Sequence, residues 1–251
     1  AMKTAPEPPS DRHPFGTNKW GYDLMTLMLH GARYTLFIAV VVAGLRVVLG
    51  TSLGIVLGLH VGRNRSAARG PLLPGLPVLI VLVFILHPIS VNSTLTVVQL
   101  FAVHSVFLTL PGVPGVTAAV RNRMGALSDS PMVESGIVAG AALPRLLRRY
   151  YLPAILPDLG RHFFQECARG LMLVGQLGMF NVFMGGTLFT PNPPLLHSMT
   201  HEWAGLVGQN RFNLQYQHWT VLYPLAGYLI VLLTLHLIAR GLDAREQERH
   251  A

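Results

Sequence analysis

Residues 70–120 read GPLLPGLPVLIVLVFILHPISVNSTLTVVQLFAVHSVFLTLPGVPGVTAAV, without one Asp, Glu, Lys or Arg. A soluble helix carries charges at helical spacing on its outer face. This stretch cannot supply them. It also exceeds the roughly 20 apolar residues that cross a bilayer. The polar, Pro-containing segment His87-Pro88-Ile89-Ser90-Val91-Asn92-Ser93 breaks it, because Pro and Asn favour turns. The reading is a tight pair of membrane helices joined near residues 88–94.

The same pattern extends outward. Gly170–His201 and Phe212–Ala239 are also free of acidic and basic residues apart from histidine. The chain is 51% hydrophobic and only 12% charged, against about 25% in soluble domains. Five spans are predicted, at about 34–61, 73–88, 95–117, 164–186 and 220–239. The first contains Arg46, a charge that should face a bundle interior or a polar cavity. The fourth is rich in Gly and Met, which suits close helix packing.

Basic residues set the orientation. Arg63, Arg65 and Arg69 follow the first span. Arg121, Arg123, Arg145, Arg148 and Arg149 lie in the loop 118–160, and Arg240, Arg245 and Arg249 follow the last span. All three groups fall on one side, which is then the cytoplasm. The turn 88–94, the loop 187–218 and the segment 1–33 face outward. The net charge of +8 follows from this excess and from attraction to anionic head groups, so no nucleic-acid partner is expected. Cys167 is the only cysteine, which excludes an intrachain disulfide and leaves packing as its role.

Between the third and fourth spans the chain reads Glu134-Ser135-Gly136, then Gly140-Ala141, Leu143, Tyr150, Leu152 and Pro153. A polar loop of this length cannot lie in hydrocarbon. It resembles the EAA loop by which membrane subunits of bacterial ABC importers engage their ATPases. Two further landmarks agree in order. His13-Pro14-Phe15-Gly16-Thr17-Asn18, with Gly21-Tyr22-Asp23 and Gly31-Ala32-Arg33-Tyr34-Thr35-Leu36, resembles the outer segment of the dipeptide/oligopeptide/nickel class of these permeases. Pro191–Gly205, ending Trp203-Ala204-Gly205, resembles a second outer segment of the same class. The resemblance covers about residues 12–245.

The resemblance implies an all-α, polytopic permease bundle. Residues 1–33 would be an outer segment with an amphipathic elbow around 18–33. Residues 34–245 would be the transmembrane domain with its coupling loop at 118–160, and 246–251 a cytoplasmic tail. Members of this type have six spans, so a span preceding this sequence is expected, or a subfamily that lacks it. The implied function is the translocation subunit of an ABC importer in a bacterial inner membrane, for di- or oligopeptides, with nickel or another small solute as the alternative. The implied partners are a second homologous permease, two ATPase subunits and an extracytoplasmic binding protein. ATP and Mg would be held by the ATPases.

The coupling residues would be Glu134, Ser135, Gly136, Gly140, Ala141, Leu143, Leu152 and Pro153. The loop departs from its pattern at two places. Ser135-Gly136 stands for Ala-Ala, and Tyr150 for isoleucine. Gly136 lowers helix propensity by about 1 kcal/mol relative to Ala, which suggests looser coupling. A permease homologue that does not transport is the reading this departure favours.

The chain has no G-x-x-x-x-G-K-[ST] loop to cradle phosphates, and no G-x-S-x-G or H-E-x-x-H motif. Hydrolytic chemistry therefore falls to other subunits. His197 and His201 are four apart and, on a helix, would share a face suited to a metal. A surface pair with no metal role is the simpler reading, and a metal-dependent membrane enzyme is the remaining alternative. His87 and His104 suit packing within spans, and His236 an interface. Arg46, Gln176, Met179 and Asn181 are candidates for the translocation path, with Met172, Met184, Phe180 and Phe183 as packing or lining residues.

Overall fold

A computed structural model describes residues 6–60 and 77–250. Arg63, Arg65 and Arg69, and the first residues of the predicted second span, lie outside the described residues. The fold is helical, as the apolar runs require. α1 spans Leu24–His60, α2 Val78–Ser90, α3 Val97–Thr109 and α4 Val113–Ser128. Two short helices follow, α5 at Pro131–Val138 and α6 at Leu143–Leu146. A π turn, Leu147–Tyr151, runs into α7, Leu152–Met179. The strands β1, Thr187–Pro191, and β2, Pro194–Ser198, come next, then α8, Trp203–Asn210, and α9, Trp219–His250.

α1 and α9 are each long and apolar enough to cross a membrane, and α3 and α4, bent by 48° at their break, are apolar enough only as a pair, as a broken span or a re-entrant loop. α2 is a shorter apolar helix. The break at Leu110-Pro111-Gly112 is where Pro and Gly interrupt a helix. α7 overlaps the predicted fourth span only over 164–179, carries Asp158, Arg161, Glu166 and Arg169, and is not among the helices apolar enough to cross a membrane.

Several boundaries differ from expectation. The elbow predicted over 18–33 is no separate element, because from Leu24 onward those residues are the first turns of α1. Within the predicted coupling loop 118–160, α4 continues to Ser128, α5 follows and helix resumes at Leu143. The segment after α7 holds a two-stranded antiparallel hairpin, with Thr187 opposite Ser198 and Phe189 opposite Leu196. Asn92, after α2, holds its edge: the Phe189 N–H donates to Asn92 Oδ1 at 2.8 Å and the Asn92 N–H to the Thr187 carbonyl at 2.9 Å.

The described chain divides into two compact units. The first is drawn from 6–42, 77–108 and 168–234. One of its cores gathers Leu24, Met28, Leu206 and Trp219, with Phe15 and Tyr223 packed beside them. The loop ahead of α1 is folded onto it: the Trp219 indole donates to the Thr17 carbonyl at 3.1 Å, and Gly16, at φ +74, lies against the indole ring. Trp203 donates from its indole to the Met28 carbonyl at 2.8 Å and from its backbone to Thr35 Oγ1 at 3.0 Å. Two of the outer landmarks thus meet through Trp203.

The second unit is drawn from 43–60, 109–167 and 235–250. Its core is Val116, Val120, Met124, Val133, Leu146, Tyr151 and Ile155, flanked by Ile55 and Leu59. α1 and α4 meet there through a regular ladder. A Cβ placed on Gly50 would stand 2.5 Å from Val116 Cβ, one on Gly54 2.7 Å from Val120 Cβ, and one on Gly58 2.9 Å from Met124 Sδ. Small residues every fourth position let helix backbones approach closely. One turn earlier the roles reverse: Gly112 makes room for Arg46, whose Cζ would be 2.6 Å from a Cβ there.

Candidate functional site: the coupling element and the buried charges

The segment between α4 and α7 is a compact helical element. Pro131 opens α5, a position where a missing N–H costs nothing. Glu134 lies in its first turn, where the helix dipole favours an acid. Both Glu134 and Ser135 are exposed, and Ser135 Oγ donates back to the Met132 carbonyl at 3.0 Å. Gly140 ends the helix at φ +73, with the Ala141 N–H bonded to the Gly136 carbonyl at 3.0 Å. That closure needs a left-handed residue, and glycine adopts it without strain. Pro144 lies in the first turn of α6.

Gly136 is buried, and the residues that bury it are Leu146 and Tyr150. Ala141 packs on the core of the second unit. Leu152 is half-buried and Pro153 exposed. The outer surface of the element is apolar at Met132, Val138 and Leu143, which are 57%, 84% and 50% exposed. Arg145, Arg148 and Arg149 are exposed alongside. The element is thus anchored on one side, and on the other it offers an apolar knob flanked by cations.

Behind it the second unit carries a polar network. Arg123 Nε lies 3.1 Å from Asp158 Oδ2, and Arg161 Nη1 donates to Asp243 at 2.8 Å. Arg46 Nη1 donates to Glu166 Oε2 at 2.8 Å, with both side chains withdrawn from solvent. Arg46 does face an interior, and its counter-charge is Glu166, which sequence reasoning did not single out. The signal was available: Glu166 falls inside the predicted fourth span, and an acid there needs a partner as much as a base does.

Of the other path candidates, Gln176 and Met179 are exposed on α7, as is Met172. Asn181 lies after the helix at φ +60 and accepts from Arg211 Nη1 at 2.7 Å. Phe183 and Met184 are fully buried and Phe180 is exposed.

The histidine pair is not helical. His197 lies on β2, and His201 sits at φ +54 between β2 and α8. His197 packs edge-on against Trp20, and His201 against His30. Burial lowers the pKa of both, helped by Lys19 and His201 near His197 and by His30 near His201. Among the described residues no group of three or more His, Cys, Asp or Glu is placed to hold a metal. Next to His201, Glu202 is fully buried, and burial pushes its carboxyl up to about 7 despite backbone N–H donors from Gly205, Met184 and Ala204. Its second oxygen has no hydrogen-bond partner.

These features, apolar spanning helices and a helical knob between them, are those of a membrane permease. No family model matches the chain. Over 237 residues it is 26% identical to a putative peptide transport system permease protein of Brucella suis, covering 94% of this chain and 73% of that one. Dipeptide transport system permease proteins of Alkalihalophilus pseudofirmus (24% identical; 93% and 71% covered) and Haemophilus influenzae (25%; 90% and 71%) are also similar. Among solved structures, a chain of the MetNI methionine ABC transporter in an inward-facing form superposes with a TM-score of 0.57 at 17% identity, covering 88% of this chain and 97% of that one. The chain is a homologue of ABC transporter permease proteins of the peptide-transport group, with the fold of an ABC importer membrane subunit and several apolar helices that make it an integral membrane protein.

Proposed function

We propose that this chain is the translocation subunit of an ABC importer for di- or oligopeptides in a bacterial inner membrane. The observation that carries the reading is the α5–α6 element, anchored to the helical core while it exposes Met132, Val138 and Leu143 beside three arginines. Apolar side chains on a soluble face mark a docking site. The occupant fitting this one is an ATP-binding-cassette subunit, which holds the ATP and Mg and does the hydrolysis. The peptide cargo comes from the names of the relatives. A second permease chain completes the pathway, and an external binding protein delivers substrate. Nucleotide closure of the ATPases moves the element and switches the spans between outward and inward access. The element and the C-terminus lie on the cytoplasmic side.

The test is purification of the tagged chain from its host in mild detergent, followed by uptake in vesicles. Co-purification of a second permease and a Walker-motif ATPase, with ATP-dependent uptake of labelled dipeptide, is the expected result. A chain that travels alone and supports no uptake overturns the proposal.

A further inference from the structure

Two neighbouring tyrosines in the π turn Leu147–Tyr151 serve two different helices. Tyr150 covers α5: a Cβ on Gly136 would stand 3.3 Å from Tyr150 Cε2 and 2.9 Å from Leu146 Cδ2. A larger residue at 136 needs the Leu146 side chain to give way first and the Tyr150 ring with it. Tyr151 is buried and serves α4, with its hydroxyl 2.8 Å from Ser128 Oγ. Ser128 already donates its one proton to the Met124 carbonyl at 2.9 Å, so Tyr151 is the donor between them. Single π turns within helices are rare and recur at functional sites. Here the turn sits between the exposed knob and the long helix α7.

We propose that this π turn is the joint of the coupling element, with Gly136 and Tyr150 a matched small-and-large pair that sets the seat of α5, and Tyr151 the tie that passes its displacement to α4. The proposal rests on the reading of the element as an ATPase docking site. Gly136, Tyr150 and Tyr151 are positioning residues, because none is part of the exposed apolar tip.

The experiment reconstitutes the complete transporter in liposomes and measures peptide uptake per ATP hydrolysed. It compares the wild type with G136A, Y150I, G136A/Y150I and Y151F. G136A and Y150I should each lower uptake per ATP by about threefold or more, and the double variant should return to within about twofold of wild type, as expected of directly coupled positions. Y151F should lower the ratio without loss of bound ATPase. If the two single effects simply multiply, or if all variants keep the wild-type ratio, the joint is wrong. If G136A fails to accumulate, recovery of accumulation on adding Y150I supports the pair, and no recovery overturns it. A wild-type chain that binds no ATPase overturns the docking reading first, and the joint with it. A wild type that binds ATPase, with variants that show no recovery, overturns the joint alone.

Discussion

Arg46 and Glu166, 120 residues apart in sequence, form an ion pair at 2.8 Å with side chains only 2% and 1% exposed. Gly112 supplies the space beside the guanidinium. Burying two charges is costly, and losing one partner costs more than losing both, because it strands the other. R46A or E166A alone should destabilise by about 3–5 kcal/mol, whereas an apolar replacement of both, R46M/E166L, should be close to neutral. Thermal unfolding in detergent decides this. Equal melting of the single and double variants would mean that the pair is uncoupled.

Glu202 should make the outer region pH-sensitive. Its folded carboxyl titrates at about 7 against an ordinary 4.5. The folded state therefore binds more protons than the unfolded chain between these values, and stability falls as pH rises through that window. The favourable contribution is fully present below about 4.5 and gone above about 7. Its size is on the order of 3 kcal/mol. E202Q should flatten the profile between pH 4.5 and 7. A variant with the wild-type slope would place the sensitivity elsewhere.

Two glycines of α1 should behave oppositely. A Cβ on Gly31 would stand 2.6 Å from the carbonyl carbon of His201, whereas one on Gly44 would meet nothing within 4 Å. Backbone cannot step aside as a flexible side chain can. G31A should cost about 3 kcal/mol or more through overpacking. G44A should be neutral or gain up to about 1 kcal/mol of helix propensity. Expression and melting temperature of the two proteins, measured side by side, test the contrast.

The apolar knob should be dispensable for folding and needed for docking. M132D/V138D changes two exposed residues, and surface substitutions usually shift stability by no more than about 0.5 kcal/mol. The variant should melt like the wild type yet lose most of the ATPase that co-purifies with it. Undiminished co-purification would move the docking surface away from α5.

The sequence is most legible where a single physical constraint acts over many residues. Long charge-free runs reveal the helices, and Asn92 falls in the turn between α2 and α3, whereas Pro88, read as part of the break, lies inside α2, which continues to Ser90. Contacts between distant segments are harder to read. Arg46 stands out as a buried charge, but only the fold shows that it meets Glu166. Gly50, Gly54 and Gly58 announce a close helix contact by their spacing, yet that spacing does not name Val116, Val120 and Met124 as the opposite side. The hairpin at 187–198 is short and carries Pro191, Pro193 and Pro194 at its turn, so its pattern gives little strand signal.

The coupling element shows both sides of this. Gly140 and Pro144 mark its bend correctly, because a left-handed turn and a helix start have local chemistry. Gly136 suggests a weakened helix when judged by propensity alone. In the fold it is the place where Tyr150 and Leu146 come closest to α5, and the two departures from the family pattern, one smaller and one larger, fall on the two sides of one contact. His197 and His201 do not share a helix face, because β2 ends and a bend begins between them.

The π turn has a consequence for chain length. A π turn holds one residue more than an α turn would in the same place. Deleting a single residue between Leu147 and Tyr151 would let the helix close as regular α with everything after it near its original phase, because the wide turn and the regular turn complete about the same rotation. Glu166 would still face Arg46, whereas a deletion in a regular turn of α7 ahead of Glu166 would rotate it by about 100° at 3.6 residues per turn. The extra residue thus makes this turn the place between the knob and Glu166 where the chain can lose a codon and keep its phase.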